Sequence, residues 1–283
     1  MVETALANIR IILVEPAGPL NVGAIARAMK NMGLGKLVLV SPHCDPLGPE
    51  ARQMAVHAGD VLEAAQVVDT LPEALRGCQW AIATTARPRT LAISLEHPKT
   101  ILPWLLEVAH QGNAALIFGP EDRGLDNTEL HYAQRFLSIP TNPAYPSLNL
   151  AQAVAICCYE LYQESAVGNR GGWKQRPQEV GQDTNGLDSI QPSQFNLQNF
   201  SLPPSPLPAP LDSLENYYQH LESLLLKIGY LYPHTADSRM KKFRHLLSRA
   251  MPSVEEVALL RGTLSQVEWA IQKLDKKADD LDD

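Results

Sequence analysis

A proline-rich loop in the middle of the chain carries two side chains that could hold a polar ligand. In IPTNPAYPSLNL, residues 139–150, Ser147 and Asn149 stand just before an apolar run typical of a helix. Each proline fixes φ and removes an N–H donor, so the loop cannot form a regular helix or a central strand. Backbone groups held rigidly before a helix N-terminus suit a polar ligand. The alternative is an ordinary loop in which Ser147 or Asn149 caps the helix.

Two further stretches place charged side chains beside glycines. NVGAIARAMKNMGL, residues 21–34, holds Asn21 and Arg27, and IFGPEDRGL, residues 117–125, holds Glu121. Asn21 is expected to cap the helix of the first stretch, and Arg27 projects from the polar face of that helix. An arginine can hold a phosphate or stabilise an alkoxide. The alternatives are a solvated arginine and a turn whose charges are solvated.

Two common nucleotide-binding patterns are absent from the first stretch. Gly18 and Gly23 have GxxxxG spacing, but Ala24 and Ile25 stand where a P-loop needs Lys and Ser or Thr. No GxGxxG follows the first apolar run. The sequence therefore gives no support to a P-loop nucleotidase or to a nicotinamide-type Rossmann site.

Short apolar runs alternate with helical patterns through the first 165 residues. The runs at 9–14 and 37–40 flank a helical pattern at 22–32, which is typical of a βαβ unit and a parallel sheet. Further strands are predicted at 67–68, 80–84, 115–118 and 136–139, and further helices at 50–65, 71–76, 100–110 and 128–133. The pattern alone predicts an ordinary doubly wound α/β domain.

Taken in order, the three stretches resemble the three motifs of the SpoU, or TrmH-like, branch of the SPOUT RNA 2′-O-methyltransferases. The nearest resemblance is to TrmJ-type enzymes, which methylate tRNA in the anticodon loop. It covers about residues 10–165, and residues 213–270 more loosely. It implies an α/β domain with a parallel sheet and a C-terminal trefoil knot, a homodimer, and S-adenosylmethionine as cofactor. The knotted segment would include the loop at 139–147 and the helix after it.

The resemblance also assigns catalytic roles. Arg27 would act on the substrate 2′-hydroxyl and is often supplied by the partner subunit in this family. Because guanidinium keeps its proton in nearly all proteins, we expect Arg27 to position the substrate and stabilise charge. Ser147 would orient the hydroxyl or the arginine, Asn149 would brace the loop, and Glu121 would have a structural or active-site role.

By the same resemblance, a cofactor pocket is implied at Thr84, Thr85, Ala86, Gly119, Ile139, Pro146, Ser147 and Leu148. Ile139 and Leu148 would offer backbone contacts to the adenine. Pro146 stands where the family often has Ser, so its contact would be through its ring or carbonyl. RNA contacts are expected at Asn21, Arg87, Arg89 and Arg123, although surface arginines are often merely solvated.

The composition changes after Ser165. Residues 166–212, rich in Gly and Pro, are expected to form a flexible linker between a catalytic domain at 1–165 and a helical domain at 213–283. Capping boxes are predicted for Asp212 with Glu215 and for Ser253 with Glu256. The second of three helices, at about 237–250, is basic, and a tRNA-docking surface is expected at Lys241, Lys242 and Arg244. The alternative is a solvated face.

Composition sets broader limits. The net charge of −7 argues weakly against nucleic acid, but a local basic face can still bind phosphate. The four cysteines have no metal-binding spacing, so no metal site is expected. Without a signal peptide or a membrane-spanning run, a soluble cytoplasmic protein is expected. We predict an S-adenosylmethionine-dependent tRNA 2′-O-methyltransferase acting on nucleotide 32; the alternatives are a same-fold enzyme for ribosomal RNA or another tRNA position, and a catalytically silent RNA-binding module.

Overall fold

The computed structural model describes residues 3–85, 94–167 and 207–282. In chain order its elements are α1 (Glu3–Leu6), β1 (Ile9–Val14), α2 (Pro19–Asn31), β2 (Lys36–Val40), α3 (Pro49–Ala55), α4 (Gly59–Glu63), β3 (Gln66–Val68), α5 (Leu71–Ala74), β4 (Trp80–Thr84), β5 (Leu95–Glu96), α6 (Pro98–Ala109), β6 (Ala114–Phe118), α7 (Asn127–Leu130), β7 (Arg135–Leu137), α8 (Leu150–Val167), α9 (Leu211–Lys227), α10 (Pro233–Ala250) and α11 (Val254–Asp282).

The strands form one sheet in the order β3-β2-β1-β6-β4-β7-β5. Every pairing in this sheet is parallel, so all seven carboxyl ends lie at the same edge. This confirms the predicted α/β class and its parallel sheet. The six predicted strands are present; the two-residue β5 and the one-turn α1 were not predicted, because such short elements leave no periodic pattern.

The central strands are buried on both faces, which is why they read as continuous apolar runs. In β1, Ile9, Ile11 and Leu13 belong to a core under α2, α6 and α8, whereas Ile12 and Val14 belong to the core on the opposite face. All five residues of β6 are buried. The sheet is therefore a rigid central layer that fixes the positions of the loops at its carboxyl edge.

One predicted helix, residues 50–65, is wrong as a single element. The chain forms α3 and α4 instead, and Val56 between them has φ of 55°, a left-handed conformation that ends α3. α3 also crosses very close to α2. A Cβ on Gly23 would lie 2.2 Å from the carbonyl oxygen of Ala51, so Gly23 serves this helix contact.

The C-terminal helices α9, α10 and α11 enclose a separate apolar core, as predicted for a three-helix unit. The capping box at the start of α11 is confirmed: Ser253 N–H donates to Glu256 at 2.8 Å, and Glu256 N–H donates to the Ser253 hydroxyl at 3.2 Å. The predicted box of Asp212 and Glu215 was wrong, because α9 begins after Pro210 with no side-chain cap.

The helical unit is fastened to the α/β domain in the described residues. Leu211 N–H donates to the Cys78 carbonyl at 2.9 Å, and Gly77 N–H donates to the Asp212 carboxylate at 3.0 Å. Most of the predicted linker, residues 168–206, lies outside the described residues. Its last residues are anchored, because Ala209 N–H donates to the Pro252 carbonyl at 2.8 Å. No described helix is both long enough and apolar enough to cross a bilayer.

Candidate active site

A pocket opens at the carboxyl edge of the sheet, where β4, β6 and β7 end. The last residue of each of these strands, Thr84, Phe118 and Leu137, faces into it. Its other walls are the loop after β6 and the proline-rich loop before α8. The remaining lining residues are Thr85, Gly119, Pro120, Glu121, Asp122, Arg123, Gly124, Leu125, Ile139, Pro146, Ser147, Leu148, Leu150 and Ala153. Ligands of parallel α/β sheets bind at this edge.

The three sequence stretches meet in a hydrogen-bonded chain of Asn21, Glu121 and Asn149. Asn21 Nδ2 donates to Glu121 Oε1 at 2.8 Å, and Asn149 Nδ2 donates to Asn21 Oδ1 at 3.0 Å. Glu121 also accepts from the backbone N–H groups of Ala17 at 3.1 Å and Gly18 at 3.2 Å. This bridge, in which Asn21 links Asn149 to Glu121, locks the loops before α2, after β6 and before α8 to one another.

The bridge holds Glu121 as a carboxylate. Partial burial alone would raise its pKa, but the hydrogen bonds from Asn21 and from the amides of Ala17 and Gly18 outweigh burial, and the pKa of Glu121 lies below its ordinary value of 4.5. A carboxylate with this pKa is a poor proton carrier at neutral pH. The arrangement fits the structural role among the two expected for Glu121.

Asn21 was predicted to cap α2, and this is wrong. α2 begins one turn earlier, at Pro19, and its N-cap is Gly18. Proline at the first helical position needs no N–H partner, so the helix extends back past Asn21. The N-terminal N–H groups and the carboxylate of Glu121 then face one another, a favourable electrostatic arrangement at a helix N-terminus.

Asn149 links the end of the proline-rich loop to the start of α8. Its side-chain oxygen accepts from Ala151 N–H at 2.9 Å in the first turn of α8. Within the loop, Ala144 N–H donates to the Asn142 side chain at 2.9 Å, and the Thr141 hydroxyl donates to the Pro146 carbonyl at 3.1 Å. The carbonyl of Pro146 is thus used to close the loop, and its ring lines the pocket.

Ser147 stands differently from the residues around it. Its side chain is exposed at the mouth of the pocket, and its hydroxyl has no hydrogen-bond partner in residues 3–85, 94–167 and 207–282. Asn149 caps the start of α8, so Ser147 is not the helix cap. The free hydroxyl can therefore contact a ligand.

The predicted cofactor residues fall into two groups. Thr84 and Thr85 tie strand ends together, since the Thr84 hydroxyl donates to the Ile117 carbonyl at 2.9 Å and Thr85 N–H donates to the Leu137 carbonyl at 2.9 Å. The backbone groups of Ile139 and Leu148, by contrast, have no partner in the described part of the chain. Both residues line the pocket. Such groups beside apolar walls fit the flat, polar-edged adenine of S-adenosylmethionine.

Gly119 is required by the loop that bounds the pocket. A Cβ there would lie 2.2 Å from Leu125 N and 2.4 Å from the Gly124 carbonyl carbon. The backbone of this loop therefore folds against Gly119 itself, and the predicted cofactor contact would have to use its main chain. Three predicted residues, Ala86, Arg87 and Arg89, lie outside the described residues.

Arg27 does not line the pocket of its own chain. It is exposed on α2, and its guanidinium makes no ion pair or hydrogen bond with any described residue. The predicted face of α2 is confirmed, because Val22, Ile25 and Met29 on the opposite side are buried. Arg27 is thus an uncommitted cation outside the pocket, free to act on a ligand or on a second molecule.

Arg123, by contrast, is held within the protein. Its guanidinium pairs with Glu129 at 2.9 Å and with Glu15 at 2.7 Å, and these carboxylates raise its pKa despite some burial. Asp126 and Glu129 form a capping box at α7. Sequence reasoning missed Glu15 and Glu129, although DNTE has the spacing of a capping box and could have revealed the latter.

One residue of the predicted basic surface on α10, Arg244, is turned inward. Arg244 forms a two-pronged ion pair with Glu215, and its guanidinium carbon lies 4.5 Å from the Tyr218 ring centre and 5.6 Å from that of Tyr132. Lys241 pairs with Asp237 at 2.7 Å. Lys242 is exposed. Arg244 therefore joins α10 to α9 and also lies against Tyr132 of the α/β domain, a role that the sequence pattern did not indicate.

The described residues contain no group of three or more His, Cys, Asp or Glu side chains placed to hold a metal ion. The four cysteines are free thiols. Burial raises the pKa of Cys78 to about 11 and that of Cys158 to about 12, so both are neutral core residues.

Comparison with known proteins identifies the family. The sequence profile of the SpoU rRNA Methylase family matches residues 8–159, which include the pocket and all three stretches. The profile of the tRNA methyltransferase TrmJ C-terminal domain matches residues 212–279, the helical unit.

Individual relatives match nearly the whole chain. A tRNA (cytidine/uridine-2′-O-)-methyltransferase TrmJ from Pectobacterium atrosepticum is 39% identical over 93% of this chain and 98% of its own. The tRNA (cytidine/uridine/adenosine-2′-O-)-methyltransferase TrmJ of Pseudomonas aeruginosa is 38% identical over 97% and 99%. The crystal structure of TrmJ from Z. mobilis has 32% identity and a TM-score of 0.72, covering 93% of this chain and all of the other. The chain therefore belongs to the SpoU rRNA Methylase family and is an S-adenosylmethionine-dependent RNA methyltransferase.

Proposed function

We propose that this enzyme transfers a methyl group to a ribose 2′-hydroxyl of tRNA, with nucleotide 32 of the anticodon loop as the favoured target. The observation that carries the proposal is the pocket itself: open backbone groups at Ile139 and Leu148 adjoin the free hydroxyl of Ser147. The near full-length similarity to enzymes named for tRNA 2′-O-methylation supports tRNA as the substrate.

The chemistry requires alignment more than acid–base power. S-adenosylmethionine supplies the electrophilic methyl group when bound. Ile139 and Leu148 would hold the adenine through their backbones, beside the apolar wall of Leu137. Ser147 orients the incoming 2′-hydroxyl. Its oxygen would take the methyl group as the bond from that methyl to the cofactor's sulfur breaks, and the hydroxyl proton would pass to water. Holding the reactants in line supplies much of the rate enhancement of such a transfer.

Arg27 completes the site from a second copy of the chain. Within one chain it lies outside the pocket and is uncommitted, so it can reach a pocket across a two-fold interface. There its guanidinium holds the phosphate next to the target ribose and stabilises the developing alkoxide. We accordingly propose a homodimer, acting in the cytoplasm, with the knotted topology that the resemblance implies for residues 139–163.

The helical unit docks the body of the tRNA. The proposed division is a catalytic domain at 1–165, a linker at 166–212 and a helical domain at 213–283. Lys242 on α10 is exposed and unpaired in the described structure, and we assign phosphate contact to it first. Lys241 can exchange Asp237 for a phosphate, whereas Arg244 is held by its ion pair with Glu215.

A second candidate function keeps the chemistry and changes the RNA. The family is named for ribosomal RNA, so a ribosomal target or another tRNA position is the competing proposal. Mapping ribose methylation in total RNA from a strain lacking this gene distinguishes them. Loss of methylation at tRNA position 32, restored by the wild-type gene but not by Arg27→Ala, supports our proposal. Loss only in ribosomal RNA contradicts it.

A purified assay defines the nucleotide directly. The full-length enzyme is given an unmodified tRNA transcript and the same transcript with 2′-deoxyribose at position 32. Transfer to the first and not to the second identifies the acceptor oxygen. Equal transfer to both moves the target to another nucleotide.

A further inference from the structure

A group of exposed aromatic rings lies at the turn between α9 and α10. These residues are distant in sequence from those of the pocket, and none of them lines it. In IGYLYPH, residues 228–234, Tyr230 is 52% exposed, Tyr232 is 56% exposed and His234 is also exposed. Leu231, between the tyrosines, is only 2% exposed. We call Tyr230, Tyr232, His234 and Arg239 the tyrosine tip.

The tip is a fixed structure. Gly229 turns the chain with a φ of 72°, a left-handed conformation that favours glycine, and Leu231 N–H donates to the Leu225 carbonyl at 3.0 Å. Thr235 N–H donates to the Tyr232 carbonyl at 2.8 Å as α10 begins. With Leu231 buried, its two neighbours in the chain must point outward. Rings already held in place lose little further freedom when a ligand binds.

Positive charge accompanies the rings. Arg239 donates to the Tyr230 carbonyl at 3.1 Å, and its guanidinium carbon lies 5.5 Å from the Tyr230 ring centre. The rings of Tyr232 and His234 are stacked at 6.0 Å with 22° between their planes. Lys227 is exposed at the end of α9. The nearest carboxylate on α10, Asp237, is paired with Lys241.

We propose that the tyrosine tip binds unpaired nucleobases of the tRNA by stacking. Exposed aromatic faces beside cations are the features with which proteins hold unpaired bases and the phosphates next to them. The rings protrude from a turn and are flanked by cations, whereas the centre of a protein-docking patch is depleted in charge. The proposal rests on tRNA being the substrate, and it adds a second contact with unpaired nucleotides outside the pocket.

The test measures tRNA affinity in the full-length protein. Tyr230→Ala and Tyr232→Ala should each raise the Kd for an unmodified tRNA transcript by about fivefold or more, because each removes a stacked base. The single-turnover rate at saturating tRNA should stay unchanged, since no residue of the tip lines the pocket. Neutral rings release no counterions, so the slope of log Kd against log salt should also stay unchanged. Arg239→Gln should reduce that slope.

Three controls make the result specific. Trp269→Ala removes another ring of the helical unit, 54% exposed and with Lys273 Nζ 4.9 Å from its centre, and should leave the Kd unchanged. The pair Tyr230→Leu and Tyr232→Leu keeps apolar bulk for folding and should still lose affinity. A fully paired RNA duplex should bind the wild type and the tyrosine variants equally.

Other outcomes overturn the proposal. If the double variant Tyr230→Leu/Tyr232→Leu bound tRNA with a Kd within twofold of wild type, the tip would not bind nucleobases. If the same variant lost self-association instead of tRNA affinity, the tip would be a contact between copies of the chain. Equal loss of duplex binding would point to a paired-RNA or phosphate contact. Failure of the proposed function is a separate result, because there the wild-type protein would methylate no tRNA at all.

Discussion

The two regions assigned to tRNA use arginine in opposite ways. Around the pocket, the backbone is braced by the bridge of Asn21, Glu121 and Asn149, and Arg27 is left uncommitted. In the helical unit, Arg244 stabilises the fold through an ion pair with Glu215. The side chain of Arg244 is only 16% exposed and that of Glu215 only 13% exposed. A basic residue in a sequence therefore indicates a ligand contact only once its partners within the fold are known.

The largest effect is expected at Arg27. Arg27→Ala should lower single-turnover methylation by about 10²-fold or more, because it removes charge stabilisation that is realised in the transition state. Binding of S-adenosylmethionine, measured by calorimetry, should stay within a few fold. Lys30→Ala is the matched control, an exposed cation on the same helix that pairs with Asp60. Near-normal turnover in Arg27→Ala would remove Arg27 from the site.

Arg244 tests the structural side of the comparison. Arg244→Met leaves Glu215 without its partner in a mostly buried place, and should destabilise the helical unit by about 3 kcal/mol. The readout is the thermal melting of the full-length protein. Replacing Glu215 as well, in Arg244→Met/Glu215→Gln, should recover part of the loss.

Arg249→Met, on the exposed side of α10, is the control for Arg244 and should melt like the wild type. If Arg244→Met melted normally but bound tRNA weakly, Arg244 would be a phosphate contact after all, and the contrast between the two regions would fail.

Glu121 tests the bracing of the pocket. Glu121→Gln removes the charge that Asn21 and two backbone amides bind, and should lower the free energy of unfolding by about 1 kcal/mol, since the site is partly exposed. The pKa of Glu121 is depressed in the folded protein, so its contribution is present above pH 4.5 and is lost as pH falls below that value. The stability gap between wild type and variant should therefore close on acidification. A constant gap from pH 7 to pH 3 would contradict this account.

The smallest effect is expected at Ser147. Ser147→Ala removes a hydroxyl that has no partner in the described structure, so folding should not change. Methylation should fall several-fold, because the 2′-hydroxyl loses one orienting group. A lowered melting temperature with normal turnover would assign Ser147 to the loop instead of the substrate.

The sequence predicted the strands and the motifs better than the partners of the polar side chains. Continuous apolar runs such as β6 have one reading in a parallel sheet, and the face of α2 follows from helical periodicity. Asn21 looked like a helix cap because it stands before an apolar pattern. Pro19 moved the helix start, and the contact of Asn21 with Glu121 joins residues 100 positions apart, which no local pattern encodes.

The same limit explains the helical unit. The charge of α10 is visible in the sequence, but the pairing of Arg244 with Glu215 depends on how α9 and α10 cross. Asp212 and Glu215 have capping-box spacing, yet tertiary contacts with Gly77 and Arg244 claim both side chains. Spacing specifies which groups could meet, and packing decides which of them do.

Complementation between two inactive chains tests the shared site most directly. One chain carries Arg27→Ala, and the other carries Ala153→Phe, which fills the pocket wall and should abolish S-adenosylmethionine binding. Each homodimer should be inactive on tRNA. Heterodimers contain one intact pocket faced by one intact Arg27, so mixing with subunit exchange should restore up to half of the activity per heterodimer. If exchange is demonstrated and no methyl transfer to tRNA returns, Arg27 does not act across an interface, and the account of the active site is wrong.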